Sequence, residues 1–186
     1  MDDDTPLRPL GPNRRNQWRA GPQGADLVRP ARPPRPLDLP ARPKPIRIDL
    51  ARSAAVVVDM QNDFCHPDGW LAGLGVDVAP ARAAIAPIAA LLPLLRASAV
   101  PVIWLNWGTR ADLANIPPVL MHVYDGDAAG EGLGAPVGPR RSPVLQKGAW
   151  SAGIVDELEV APEDIHVDKH RMSGFWDTPL DSILRN

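Results

Sequence analysis

Two short apolar runs constrain what this chain can fold into more than any other feature. Ala54-Ala55-Val56-Val57-Val58 and Val100-Pro101-Val102-Ile103-Trp104-Leu105 are continuous and rich in β-branched side chains, the pattern of strands buried on both faces of a parallel sheet. Between them, Val78 to Ala97 repeats apolar residues at helical spacing and closes on Arg96. Strand, helix and strand make a βαβ unit with a right-handed crossover. Pro87 and Pro93 fall inside the helix and predict that it is kinked or split. Ile165-His166-Val167 reads as a third strand and Ser151 to Leu158 as a short helix. Thr178-Pro179-Leu180-Asp181 has a helix opening, with Thr as N-cap, Pro in the first turn and an acid three residues after the cap. A helix on a parallel sheet normally leads to a further strand. The expected fold is therefore a three-layer α/β/α domain with a parallel sheet, incomplete at its C-terminus.

The first 45 residues are of another kind. They hold eleven of the 23 prolines, interleaved with arginine as in Arg29-Pro30-Ala31-Arg32-Pro33-Pro34-Arg35-Pro36. Proline removes backbone donors and blocks helix, which predicts an extended arm with little regular structure over residues 1–45, ahead of a folded domain over residues 46–186. Residues 1–50 carry ten Lys and Arg against six Asp, although the whole chain has a net charge of -2. That overall balance gives no reason to expect nucleic acid as a partner. One cysteine, Cys65, cannot form an internal disulfide, which suits a reducing cytoplasm. No run approaches the roughly 20 apolar residues of a membrane span, and the acidic start is unlike a signal peptide, so no membrane is expected.

Ligands of open parallel sheets gather outside the carboxyl ends of the strands. Asp59 follows the first strand and Lys169 the third, which makes both candidates for one crevice despite 110 intervening positions. Taken singly, each has an ordinary alternative: a helix cap or turn former for the aspartate, a plain ion pair for the two together.

The surrounding residues narrow the choice. Val58-Asp59-Met60-Gln61-Asn62-Asp63-Phe64 resembles the DxQxDF signature of the isochorismatase-like cysteine hydrolases, and Asp168-Lys169-His170-Arg171-Met172-Ser173-Gly174-Phe175 resembles that family's catalytic-lysine segment. The likeness runs in order over residues 46–186. Lys147-Gly148-Ala149-Trp150 and the long proline-bearing insert after the second strand are most similar to the ureide-cleaving branch, the ureidoacrylate amidohydrolases and the biuret and triuret hydrolases. The resemblance implies a cysteine amidohydrolase acting on a C–N bond of a small linear amide or ureide through a thioester. Asp59 and Lys169 would be catalytic, and Asn106, Trp107 and Trp176 would rim the substrate pocket. It further implies a nucleophilic cysteine beyond the final helix, past Asn186, which would leave these residues inactive alone; Cys65 has no matching role. In many nicotinamidases a metal site follows the second strand, where this chain reads Asn106-Trp107-Gly108-Thr109-Arg110, so no metal and no cofactor are expected. Arg171 is a lesser candidate, for orienting a substrate carboxylate. A small-molecule substrate and a homo-oligomer complete the expectation. The alternatives are a non-catalytic truncated or split-subunit member of the same fold, and a nicotinamidase-type hydrolase.

Overall fold

A computed structural model of the chain describes residues 6–12, 16–29, 31–125 and 129–186. The acidic start and Pro30 lie outside them. The chain divides into two compact units, Met1–Arg52 with Ser182–Asn186, and Ser53–Asp181.

In the first unit, β1 (Arg8–Leu10), β2 (Trp18–Gly21) and β3 (Gly24–Asp26) form an antiparallel sheet in that order, and β4 (Pro36–Leu39) pairs antiparallel with β5 (Ile46–Asp49). The segment is thus more regular than its composition predicts. Proline is excluded from helices and from the middle of sheets, yet an edge strand or a strand's first residue tolerates it. Pro9 lies in the edge strand β1 and Pro36 opens β4. Across the second ladder, Arg47 donates to both carboxylate oxygens of Asp38 at 2.6 and 2.8 Å. Both side chains are exposed, so the pair adds little stability.

The second unit is built on three parallel strands. β6 (Ala55–Val58) leads through α1 (Asn62–Cys65), α2 (Trp70–Gly73), α3 (Ala79–Arg82) and α4 (Ile85–Ala97) to β7 (Val102–Trp107). Then come α5 (Pro118–Tyr124), a small hairpin of β8 (Pro136–Val137) and β9 (Ser142–Pro143), and β10 (Ile165–Lys169); the last helix, α6 (Leu180–Arg185), begins in this unit and has its remaining residues, from Ser182, in the first. The sheet order is β10-β7-β6, so the unit is α/β with β7 central, and all six residues of β7 are buried. The helical stretch is split as its prolines predict, between Arg82 and Ile85, with Pro93 retained inside α4. By length and composition alone Ala79–Ala97 is long and apolar enough to cross a bilayer, at mean hydropathy 1.3. Here Ile85 and Leu92 of α4 pack with Val57, Val102 and Trp104 in a core cluster on one face of the sheet. On the other face, the chain after β10 passes close over β7: a Cβ on Gly174 would sit 2.3 Å from Leu105 Cδ2.

Residues 151–158 form turns, not the expected helix. Their backbone groups pair with the chain that leaves β6: Asn62 N–H donates to Gly153 O at 2.8 Å and Val155 N–H to Met60 O at 3.0 Å. The helix opening at Thr178 is as read, since Leu180 N–H donates to Thr178 Oγ1 at 3.2 Å.

Asp164, just before β10, fastens this core from below. Its side chain is 1% exposed and accepts from Arg96 Nη2 at 2.6 Å, Trp104 Nε1 at 2.9 Å and Ala161 N–H at 3.0 Å. Asp164→Ala leaves the buried Trp104 indole without its acceptor and Arg96 without its carboxylate, with only Glu159 O still accepting from the guanidinium, at 2.7 Å. Urea unfolding is expected to show a loss of about 3–5 kcal/mol; a change within error would mean the cluster is held by packing alone.

Candidate active site

β6 ends at Val58, and Asp59 takes a left-handed conformation, φ +54°. Aspartate tolerates that region better than most residues. Its N–H still donates to Leu105 O at 3.0 Å, which extends the ladder by one bond while the chain turns away. The register of β10 on β7 pairs Lys169 with Trp107. Both strands point their carboxyl ends the same way, and Lys169 Nζ meets Asp59 Oδ2 at 2.9 Å. The ammonium also lies 4.4 Å from the centre of the Trp107 ring, a cation–π contact. The Lys169 side chain is 4% exposed and that of Asp59 26%. Burial pushes the Asp59 carboxyl above the usual carboxylate range against the opposing pull of Lys169. Asp59 Oδ1 is buried and has no hydrogen-bond partner among the described residues.

These groups open into a cavity of about 390 Å³. Its walls are largely apolar, from Val58, Phe64, Leu71, Leu105, Leu145, Met172 and Gly174, with Trp70, Trp107 and Tyr124 as aromatic surfaces. Tyr124 stands 5.7 Å from Trp107 and 6.0 Å from Trp70, ring centre to ring centre. An apolar chamber with a few convergent polar groups is the usual form of a small-molecule site.

The residues after Asp59 hold the cavity in shape. Gln61, fully buried, clamps the end of β7: its Oε1 accepts from Trp107 N–H at 2.8 Å and its Nε2 donates to Trp107 O at 2.8 Å and Ala152 O at 2.6 Å. Asn62 Nδ2 donates to Trp150 O at 2.8 Å. Asp63 accepts from Trp70 N–H at 3.1 Å, at the start of α2, and from Leu145 N–H at 2.8 Å. Burial raises the Asp63 carboxyl too, against these two donors. Asp59 is thus the one carboxylate of this segment that faces the cavity.

Of the residues singled out from sequence, Asp59, Lys169 and Trp107 come together at the cavity. Asn106 occupies the neighbouring position of β7, is 8% exposed, and is not among the lining residues. Trp176 is 66% exposed and also outside the lining. Cys65 is buried in the core cluster beneath α4, with its thiol pushed up by burial. Arg171 donates to Asn115 O at 2.9 Å and approaches Asp177 at 3.1 Å, tying two loops together. Among the described residues, no three His, Cys, Asp or Glu side chains gather as a metal-binding group. Sequence reading missed Trp70, Tyr124 and Leu145 as wall residues. Tyr124 lies in the long insert after the second strand; a connection of that length inside a compact domain is usually functional or interfacial.

Residues 53–186 match the isochorismatase domain. The chain is 38% identical over 152 residues to a ureidoacrylate amidohydrolase of Methylobacterium radiotolerans, covering 79% of this chain and 57% of that protein. It is 38% identical over 158 residues to that of Azorhizobium caulinodans, covering 79% and 64%. A solved cysteine hydrolase from Pseudomonas syringae superposes with a TM-score of 0.53 at 28% identity, over 74% of this chain and 55% of that one. An isochorismatase family protein from Desulfovibrio vulgaris gives 0.52 at 28%, over 72% and 60%. This chain belongs to the isochorismatase family. It spans less than two thirds of the length of these relatives.

The pair has a titration signature. Asp59 and Asp63 hold their protons more tightly folded than unfolded. Their contribution to stability is therefore fully present below an unfolded value of about 3.9 and is lost as pH rises through the folded midpoints. Carboxyl-carbon chemical shifts against pH are expected to place the Asp59 midpoint above that value, and higher again in Lys169→Met, which lacks the opposing ammonium. An Asp59 midpoint at or below the ordinary value would contradict the burial seen here.

Proposed function

We propose that this chain supplies the Asp59 and Lys169 side of a cysteine amidohydrolase site that cleaves the C–N bond of a small linear amide or ureide. The observation that carries the reading is the buried Asp59–Lys169 contact of 2.9 Å at the carboxyl ends of two parallel strands, with both residues in the cavity lining. A carboxyl held above its ordinary range can take a thiol proton and give it back, and the ammonium beside it stabilises the anions that form. In this scheme the cysteine thiol passes its proton to Asp59 and the thiolate attacks the amide carbonyl. Asp59 returns the proton to the nitrogen as the C–N bond breaks. Water then hydrolyses the thioester, its proton passing through Asp59 back to the thiolate, which frees the acid product.

Cys65 does not fit the part of nucleophile: it sits in the core cluster, outside the cavity lining, and burial keeps its thiol protonated. The nucleophile in this reading comes from outside these 186 residues, which bind substrate without turning it over. The ureide class is supported by two relatives named as ureidoacrylate amidohydrolases.

Ammonia release from ureidoacrylate and biuret tests the scheme. The 186 residues alone are expected to give none. In a chain that includes a cysteine at the cavity, Asp59→Asn or Lys169→Met is expected to lower kcat/KM by at least about 100-fold, and Cys65→Ala to leave it unchanged. Turnover that survives Asp59→Asn, or that stops with Cys65→Ala in a folded variant, overturns the assignment.

A further inference from the structure

Lys169 rests on two unlike contacts. Its ammonium meets Asp59 Oδ2 at 2.9 Å and lies 4.4 Å from the centre of the Trp107 ring. Among the described residues, Asp59 is the one acid in ion-pair contact with it. Asp168, its neighbour in sequence, projects to the opposite face of β10, where its carboxylate meets Lys147 Nζ at 2.5 Å. An almost fully buried cation is thus carried by one carboxylate and one neutral ring.

The sheet sets the ring in place. Register partners on neighbouring strands, about 4.8 Å apart, point to the same face, and Lys169 is the partner of Trp107. A slip of one residue would bring Asn106 or Gly108 beside the lysine instead. Gly108 has no room for a ring, since a Cβ there would lie 2.8 Å from Asp168 Oδ1. Gln61 clamps the strand at this point, accepting from Trp107 N–H and donating to Trp107 O, both at 2.8 Å. Tyr124 packs edge-on against the indole with ring centres 5.7 Å apart. Trp107 is buried, and these contacts leave it no other place to stand.

We propose that Trp107 is a positioning residue for Lys169: its indole face keeps the ammonium at the cavity while the negative charge that Lys169 stabilises moves. This rests on the amidohydrolase reading above and deepens it. In that scheme Asp59 becomes neutral when it takes the thiol proton, and the charge passes to the sulfur and then to the carbonyl oxygen. A second carboxylate in place of the ring would attract the ammonium as strongly as the reacting anion does and compete with it. An aromatic face attracts a cation through its quadrupole, carries no net charge and takes no proton. Lys169 is thereby held out of water yet free to turn from Asp59 toward the new anion. Trp107 acts through Lys169, not on the reacting bond.

Two measurements test this. In the 186 residues, the Asp59 carboxyl midpoint is expected to rise in Trp107→Leu toward its value in Lys169→Met, because an ammonium no longer held beside Asp59 opposes burial less. Trp107→Phe keeps a weaker ring and is expected to fall between. In a chain that includes a cysteine at the cavity, Trp107→Leu is expected to lower kcat for biuret about tenfold, with KM within about twofold and Trp107→Phe again between. Adding Trp107→Leu to Lys169→Met is expected to cost no further activity, as for two residues that act as one. An unchanged Asp59 midpoint, a rise in KM at constant kcat, or losses that add in the double variant make Trp107 a wall residue only, and leave the amidohydrolase reading standing. If Lys169→Met itself keeps full turnover, that reading fails, and the Asp59 midpoint in Trp107→Leu still decides whether the ring positions the lysine. Should Trp107→Leu fail to fold, Trp107→Phe decides: wild-type values of both the midpoint and kcat overturn the proposal.

Discussion

Everything at the site depends on β7 lying between two strands that run the same way. Its six residues are buried, and they pair with β6 on one side and β10 on the other. A parallel sheet brings its carboxyl ends to one edge, whatever the distance along the chain between them. That is why Asp59 and Lys169 meet at 2.9 Å. The cost is two charged groups largely withdrawn from water. Their mutual contact and the Trp107 ring over the ammonium offset part of that cost; the raised Asp59 carboxyl is what remains of it.

The segment after β6 divides its labour residue by residue. Asp59 turns into the cavity, Met60 into the core, Gln61 onto the end of β7, and Asp63 onto the backbone of Trp70 and Leu145. Three buried polar side chains in succession, Gln61, Asn62 and Asp63, would be unfavourable if any lacked partners. Each is hydrogen-bonded instead to main-chain groups that strand and helix leave over. They act as connectors between the sheet edge and the loops that wall the cavity, so one short stretch both presents a carboxylate and fixes its surroundings.

The strands, the split helix and the closing helix were legible because their signals are local: continuous β-branched runs, prolines at set positions, a Thr-Pro opening. The helix read at Ser151 to Leu158 was wrong for a tertiary reason, since the backbone there bonds to Met60 and Asn62 and is not free to bond to itself. The arm was read as having little regular structure because composition reports what proline prevents in a helix, not what edge strands accept.

The amino-acid order alone determined an α/β chain with a parallel sheet, and it marked Asp59 and Lys169 as residues at strand ends. Those are consequences of side-chain size, branching and spacing, which act between near neighbours. Only the tertiary structure decided that Trp107, Trp70 and Tyr124 share one chamber while Asn106 and Trp176 stand outside its lining. It also decided that Asp59 Oδ1 is buried with no hydrogen-bond partner among the described residues. Burial and hydrogen-bond satisfaction are properties of what surrounds an atom in space, and a sequence orders residues along a line.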